Sequence, residues 1–177
     1  MVSARKFFVF DGYNVLRCGP AYSRLAGPDW TDDSFNSARE LLLNDVSFFC
    51  GGEAEATIVY DGTRNKYSDG HTEKVGQVKI VFSKAGKDAD QTVIELARSL
   101  REKNMNVTVV SSDSSVQNSV MGCGVTRMSS RDFCRELQFL RANDEAEVEL
   151  KPAPKPTVAG RIPADVLRKL EALRDGK

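Results

Sequence analysis

The feature that most constrains the fold is an alternation of short apolar runs with amphipathic helical patterns. Runs rich in β-branched and aromatic residues occupy positions 6–10, 56–60, 77–82, 106–111 and, more weakly, 124–128. Apolar residues spaced by three and four follow at positions 31–49, 88–103 and 129–143. Continuous apolar runs suit strands covered on both faces, and strand–helix alternation is typical of βαβ units. We therefore predict an α/β fold, a doubly wound and mainly parallel sheet with helices on both faces.

The chain length sets the domain organisation. The 177 residues are 41% hydrophobic and 28% charged, which suits one domain with a buried core. We predict this domain over 1–150, a Pro-rich linker over 151–161 and a C-terminal helix over 162–177. Residues 61–77 have no apolar period, so we expect a long exposed loop or a hairpin.

Composition argues against several classes of protein. No apolar run approaches the roughly 20 residues of a membrane span, and the first residues lack the apolar core of a signal peptide. We expect no membrane partner and a cytoplasmic location, or a chloroplast or other organelle stroma if a transit peptide was removed. Four scattered cysteines and one histidine, His71, argue against a zinc site and favour reduced thiols.

Acidic residues follow the predicted strands. Asp11 and Asp61 come directly after strand patterns, Asp113 follows another closely, and Asp90 opens a helix together with Asp88. The carboxyl ends of parallel strands share one edge of a sheet, where ligands bind. Each acid also has a structural interpretation, since Asp-Gly pairs form turns and Asp88 and Asp113 suit helix caps.

Together, these acids predict a metal site. Converging carboxylates repel one another unless cations lie between them, and hard oxygen ligands suit Mg²⁺ or Mn²⁺. Asn14 adds a neutral oxygen near the same edge. The chemistry that fits is metal-assisted phosphodiester hydrolysis.

A basic segment accompanies the acids, although the formal net charge of the chain is zero. A neutral chain is not a simple polycation that coats nucleic acid. The segment 64–87 is nevertheless rich in lysine and arginine, and Arg131 opens a predicted helix near the same edge. We expect a phosphate-binding role for five residues: Arg64, Lys66, Lys74, Lys87 and Arg131. For Arg131, a salt bridge to an acid is an equal alternative.

Five sequence blocks carry a resemblance to a known family. They are VFDGYNVL (9–16), IVYDG (58–62), VFSKAGKDADQTVIELA (81–97), VVSSD (109–113) and SSRDF (129–133). In this order, over roughly residues 6–142, they resemble the YacP-like branch of the NYN domain family, which are PIN-like, metal-dependent ribonucleases. The resemblance implies that the acidic centre comprises Asp11, Asn14, Asp61, Asp90 and Asp113. Asp88 also falls there, but relatives often have an uncharged residue at that position.

The resemblance implies a function as well. The branch includes a ribosome-associated endoribonuclease that enters the A site and cleaves mRNA being translated. We therefore expect an endoribonuclease that uses Mg²⁺ or Mn²⁺, with mRNA and the ribosome as partners, acting as a monomer. The alternative from another class is a non-catalytic RNA- or ribosome-binding module. A haloacid dehalogenase-type phosphatase is disfavoured because Val59 stands where its nucleophilic Asp belongs.

Overall fold

The computed structural model describes residues 5–27, 31–62, 70–84 and 87–150, with side chains left out at 32 and at 147–150. The chain divides into two compact units, 1–140 and 141–177. The sheet and the candidate site belong to the first unit. The predicted linker and C-terminal helix lie outside the described residues.

Six strands and six helices form the described structure. The strands are β1 (Lys6–Asp11), β2 (Ala54–Tyr60), β3 (Thr72–Val75), β4 (Val78–Phe82), β5 (Asn106–Val110) and β6 (Thr126–Met128). The helices are α1 (Gly12–Cys18), α2 (Pro20–Ala26), α3 (Asp32–Cys50), α4 (Ala89–Glu102), α5 (Ser114–Val120) and α6 (Ser130–Leu150).

The strands form one sheet in the order β3-β4-β2-β1-β5-β6. All neighbouring strands are parallel except β3, which runs antiparallel to β4 at the edge. In the centre of the sheet, Val9 of β1 pairs with Thr57 on one side and Val109 on the other. The predicted doubly wound, mainly parallel α/β fold is confirmed.

Both faces of the central strands are buried, as the continuous apolar runs predicted. Phe10 and Tyr60 belong to a core with residues of α1, α2, α3 and α6, while Val9 and Val59 belong to a second core with residues of α4 and α5. Successive residues of a strand point to opposite faces, so each central strand supplies both cores.

Two local features differ from the sequence-based prediction, and a third decides between two predicted alternatives. Residues 12–26 form α1 and α2, seven residues each, which are too short to show a clear apolar period. The sequence predicts Asp32 or Asp33 as the cap of α3, because aspartate is a favoured N-cap residue, but the N-cap is Thr31, whose side chain accepts a hydrogen bond from the Ser34 amide at 3.4 Å. For the segment 61–77, the sequence predicted a long exposed loop or a hairpin, and the described part contains β3, which forms a hairpin with β4.

None of the described helices is long and apolar enough to cross a membrane.

Candidate active site at the carboxyl edge of the sheet

The candidate site lies where the strand order reverses direction. The chain winds from β1 outward through β2 to β4 and then returns to β5 on the other side of β1. Crevices that bind ligands form at such switch points, outside the carboxyl ends of the strands. Asp11 ends β1, and Asp113 follows β5 by three residues. These two acids therefore flank the switch point.

Asp11 is the buried acid of the site. Its side chain is only 5% exposed and caps α1, accepting a hydrogen bond from the Asn14 amide at 3.2 Å. The Ser111 hydroxyl donates to the second carboxylate oxygen at 2.9 Å. Burial raises the pKa of Asp11 and the charge of Asp113 adds to this, while the two hydrogen bonds and Arg17 oppose it.

Asp113 is joined to Asp11 through one hydroxyl. The Asp113 amide donates to the Ser111 hydroxyl at 3.1 Å, while Ser111 itself donates to Asp11. The Asp113 carboxylate caps α5 and accepts a hydrogen bond from the Ser115 amide at 2.7 Å. Hydrogen bonds from Ser115 lower the pKa of Asp113, so this acid is ionised at neutral pH.

Asp90 faces the other acids from the start of α4. Its pKa is raised to about 6, mainly by burial and then by the charges of Asp11, Asp88 and Asp113. Asp88 is the N-cap of α4, and its carboxylate accepts a hydrogen bond from the Asp90 amide at 3.3 Å. The raised pKa shows that these carboxylates lie close enough to repel one another.

Asn14 connects three segments of the edge. Its side-chain oxygen accepts a hydrogen bond from the Ser112 amide at 2.8 Å and from the Ser130 hydroxyl at 2.7 Å. The Ser130 amide in turn donates to the Ser112 hydroxyl at 3.1 Å. Since two donors occupy this oxygen, the NH₂ group of Asn14 is the part that can meet a water or a phosphate oxygen.

Asp61 lies at the same edge but directly follows β2, on the side of β1 that faces away from β5. The Ser83 hydroxyl donates to its carboxylate at 3.3 Å and accepts from the Gly62 amide at 2.9 Å. The Tyr13 hydroxyl donates to the Asp61 carbonyl at 3.4 Å. Among the described acids, Asp11, Asp88 and Asp113 raise the pKa of Asp90 through their charges, whereas Asp61 does not.

The predicted phosphate-binding residues lie in different settings. Lys74 is exposed on the edge strand β3, and Arg131 is exposed in the first turn of α6. Lys87 forms an ion pair with Glu95 of α4. Arg64 and Lys66 lie outside the described residues.

The donor atoms suit a hard cation, although the ligands are not preassembled. Asp11, Asp88, Asp90 and Asp113 offer only carboxylate oxygens, which Mg²⁺ and Mn²⁺ prefer. Within the described part of the chain, no three His, Cys, Asp or Glu side chains are grouped as ligands of one ion. A cation that relieved the repulsion at Asp90 would therefore have to draw these acids together.

Several residues that shape the site were not singled out from the sequence. Ser111, Ser130 and Ser83 are all buried and hydrogen bond to candidate site residues. Ser111 and Ser83 directly follow strands and Ser130 begins α6. For Ser111 and Ser83, the position directly after a strand is the signal that was available, since the acids were found by the same rule.

Comparisons with known proteins identify the family of this chain. The family profile of the YacP-like NYN domain matches residues 8–175. The chain belongs to the YacP-like NYN domain family. The uncharacterized protein YacP of Bacillus subtilis is 25% identical over 166 residues, covering 94% of this chain and 95% of that protein. Family membership assigns the chain to the RNA-related nucleases, which are hydrolases.

Solved structures show the same fold. The crystal structure of Rae1 (YacP) from Bacillus subtilis matches with a TM-score of 0.66 and 24% identity, covering 96% of this chain and 95% of that one. A mutant of the same protein matches with a TM-score of 0.67 and 22% identity, covering 95% and 99%.

Proposed function

We propose that this protein is a divalent-metal-dependent endoribonuclease that hydrolyses phosphodiester bonds in RNA. The observation that carries the proposal is the convergence of acids beside the switch point. Ser111 joins Asp11 to Asp113 by hydrogen bonds, and burial, followed by repulsion from the charges of Asp11, Asp88 and Asp113, raises the pKa of Asp90 to about 6. Such repulsion is costly in a fold unless a cation occupies the site. Membership of an RNA-related nuclease family supports the same conclusion.

The acids divide into two groups by their surroundings. Asp11, Asp90 and Asp113 would hold Mg²⁺ or Mn²⁺, because they interact with one another across the switch point. When bound, such a cation supplies an activated water and stabilises the leaving oxygen. Asp88 holds the start of α4 in place, and Asp61 would act from the flank of the site toward the substrate.

The remaining residues would position RNA. The NH₂ group of Asn14 is suited to orient a water or a phosphate oxygen beside Asp11. Lys74 and Arg131 are exposed cations that can contact flanking phosphates without reading bases. Lys87 would have to leave Glu95 to do so.

For the substrate we propose mRNA on the ribosome, entered at the A site by a monomer of this protein. The support for this finer role is the likeness of the five sequence blocks to the ribosome-associated branch of the family. The corresponding location is the compartment that holds those ribosomes, either the cytoplasm or an organelle stroma.

Cleavage of a labelled single-stranded RNA tests the nuclease activity. We expect cuts within the strand in the presence of Mn²⁺, none in EDTA, and a loss of at least 100-fold in Asp90→Asn. Lys103→Gln, at the far end of α4, is the matched control and should cleave like the wild type. A wild type that leaves RNA intact at every Mn²⁺ and Mg²⁺ concentration would contradict the proposal.

Ribosome binding needs a separate measurement. The catalytically inactive Asp90→Asn variant should co-sediment with translating ribosomes, and the wild type should cut the bound mRNA near the A-site codon. Equal cleavage of free and translated mRNA, with no co-sedimentation, would leave an endoribonuclease without the ribosomal role.

The second candidate is a non-catalytic RNA- or ribosome-binding module. The observation in its favour is that no three of the described acids are already grouped as metal ligands. RNA binding by the wild type that neither requires nor responds to Mn²⁺, with no cleavage, would favour this candidate.

A further inference from the structure

Arg39 of α3 lies over a group of aromatic rings. Its guanidinium carbon is 5.0 Å from the ring centre of Phe35, 5.7 Å from that of Tyr60 and 5.6 Å from that of Phe82. The side chain is half-buried, so part of it remains in contact with solvent. Rings at these distances attract a cation and restrict the plane of the guanidinium group.

The rings place Arg39 at the carboxyl edge of the sheet, beside the candidate site. Tyr60 is the last residue of β2 and directly precedes Asp61. Phe82 is the last residue of β4 and directly precedes Ser83, whose hydroxyl donates to Asp61. The Tyr60 and Phe82 rings that lie under Arg39 therefore directly precede Asp61 and the Ser83 that hydrogen bonds to it.

The charge of Arg39 is not neutralised by the described side chains. Its guanidinium group hydrogen bonds to the Asn36 side chain, and none of the described carboxylates forms an ion pair with it. The Tyr60 hydroxyl beneath it is buried without a described partner, and burial raises the pKa of Tyr60, so the phenol stays neutral. A guanidinium group whose orientation is restricted by aromatic rings, and whose N–H donors are not paired with a described carboxylate, is suited to bind a phosphate.

We propose that Arg39 binds a backbone phosphate of the RNA substrate, on a nucleotide that flanks the cleaved bond on the Asp61 side. This inference rests on the proposed ribonuclease function and adds a substrate contact to it. The rings restrict the guanidinium before RNA arrives, so less side-chain entropy is lost on binding than at a flexible surface lysine. A phosphodiester fits this setting better than an acidic protein, because the neighbouring acids can share cations with phosphate oxygens.

RNA binding without cleavage tests the proposal. Binding of a labelled 12-nucleotide single-stranded RNA is measured by fluorescence anisotropy in EDTA at several KCl concentrations. Arg39→Met keeps an apolar stem over the rings and should weaken binding about tenfold at low salt. It should also reduce the slope of log K against log salt by about 0.7, the value for one phosphate contact on a single strand.

Two further variants separate charge from packing. Arg39→Lys keeps the charge and should keep the salt slope of the wild type. Arg98→Met removes an exposed arginine from α4, on the other face of the sheet, and should bind within twofold of the wild type. Thermal melts of all variants establish that each is folded.

Each outcome decides the proposal. If Arg39→Met binds as well as Arg98→Met, or binds weakly with an unchanged salt slope, Arg39 is a packing residue and the proposal is overturned. In that case the wild type still binds and cleaves RNA, so the ribonuclease function stands. If the wild type itself neither binds nor cleaves RNA, the proposed function and this inference fail together.

Discussion

At the scale of single residues, the same acids serve two purposes. Asp11, Asp88 and Asp113 cap helices through backbone amides, which is their structural role. Asp90 is not the N-cap of its helix, and burial, followed by the charges of its neighbours, raises its pKa. A carboxylate that caps a helix stabilises the fold, whereas a carboxylate held among like charges destabilises it. Asp90 is thus the acid whose position calls most clearly for a functional explanation.

The effect of Asp90 on stability should depend on pH. Its pKa is raised from 3.8 in the unfolded chain to about 6, so the unfolded chain releases the proton first as pH rises. In EDTA, the Asp90 carboxyl should therefore lower the stability of the wild type progressively as pH rises from about 4 to about 6. Above about pH 6, where Asp90 is ionised in the folded protein too, the full loss of stability is present. Asp90→Asn should remove this penalty and raise the melting temperature at pH 7 by about 2–4 °C, after allowance for solvent screening.

Asp113→Asn is the matched control for this prediction. The pKa of Asp113 is lowered, so its charge stabilises the fold above pH 3.8 and this contribution is lost as pH falls through the folded-state pKa. Asp113→Asn should leave the melting temperature unchanged or lower it. A fall in melting temperature for Asp90→Asn at pH 7 would instead make Asp90 a structural residue.

At the scale of elements, the start of α1 is shaped by close packing. A Cβ atom at Gly12 would lie 2.3 Å from the Cε1 atom of the buried Tyr60 ring. The first turn of α1 can therefore approach β2 only because position 12 has no side chain. That approach brings Tyr13 within hydrogen-bonding distance of Asp61 and Asn14 beside Asp11.

Gly12→Ala should destabilise the protein through this contact. We expect a loss of about 1–3 kcal/mol in the free energy of unfolding, measured by urea denaturation, because the Tyr60 ring has no room to move within the core. The double variant Gly12→Ala/Tyr60→Leu should cost less than the sum of its two single variants, since the smaller side chain relieves the clash. Strict additivity would contradict this explanation.

The edge hairpin formed by β3 and β4 has a different character. All four residues of β3 are exposed, and Lys74 pairs across the hairpin with Lys79. Exposed lysines on an edge strand discourage pairing with other chains and also offer positive charge to a phosphate backbone. This hairpin is therefore suited to bind a phosphate backbone rather than to take part in the cleavage reaction.

Charge reversal in this region should separate binding from turnover. Lys66→Glu/Lys74→Glu should weaken RNA or ribosome binding at least tenfold and reduce its salt dependence, because each phosphate contact releases counterions. Single-turnover cleavage of saturating substrate should change less than threefold, since neither lysine is expected to reach the acids. Unchanged binding with a collapse of single-turnover cleavage would place the segment in the catalytic centre.

At the scale of the whole molecule, metal binding and stability should be coupled. The acids that would hold the cation come from β1, the start of α4 and the loop after β5, which meet only in the folded chain. A ligand that binds only the folded state raises its stability by mass action. A cation should therefore stabilise the fold independently of any cleavage.

Mn²⁺ at about 100 times its dissociation constant should raise the melting temperature by about 5–10 °C relative to EDTA. Asp11→Asn should lose most of this shift, whereas Asp132→Asn, an exposed acid of α6, should retain it. No shift in the wild type at millimolar Mn²⁺ would favour the non-catalytic binding module.

Local patterns in the sequence were enough to predict most of the strands and helices and several of their caps. Apolar runs predicted β1, β2, β4 and β5, and helical spacing predicted α3, α4 and α6, because both patterns depend on neighbouring residues. The same reasoning predicted Asp113 and Asp88 as helix caps. It also predicted that the acids after the strands lie at one edge of the sheet, because parallel strands all end at that edge. It missed the short helices α1 and α2, which have too few turns to show a period.

The contacts between distant residues, in contrast, depend on the packing of the folded chain. The order of strands places β1 between β2 and β5, which joins Asp11 to Asp113 through Ser111 and leaves Asp61 on the other flank. The same packing brings Arg39 over rings that lie 21 and 43 positions further along the chain. Such contacts depend on how distant segments pair and pack, and one sequence does not encode that pairing in any local pattern.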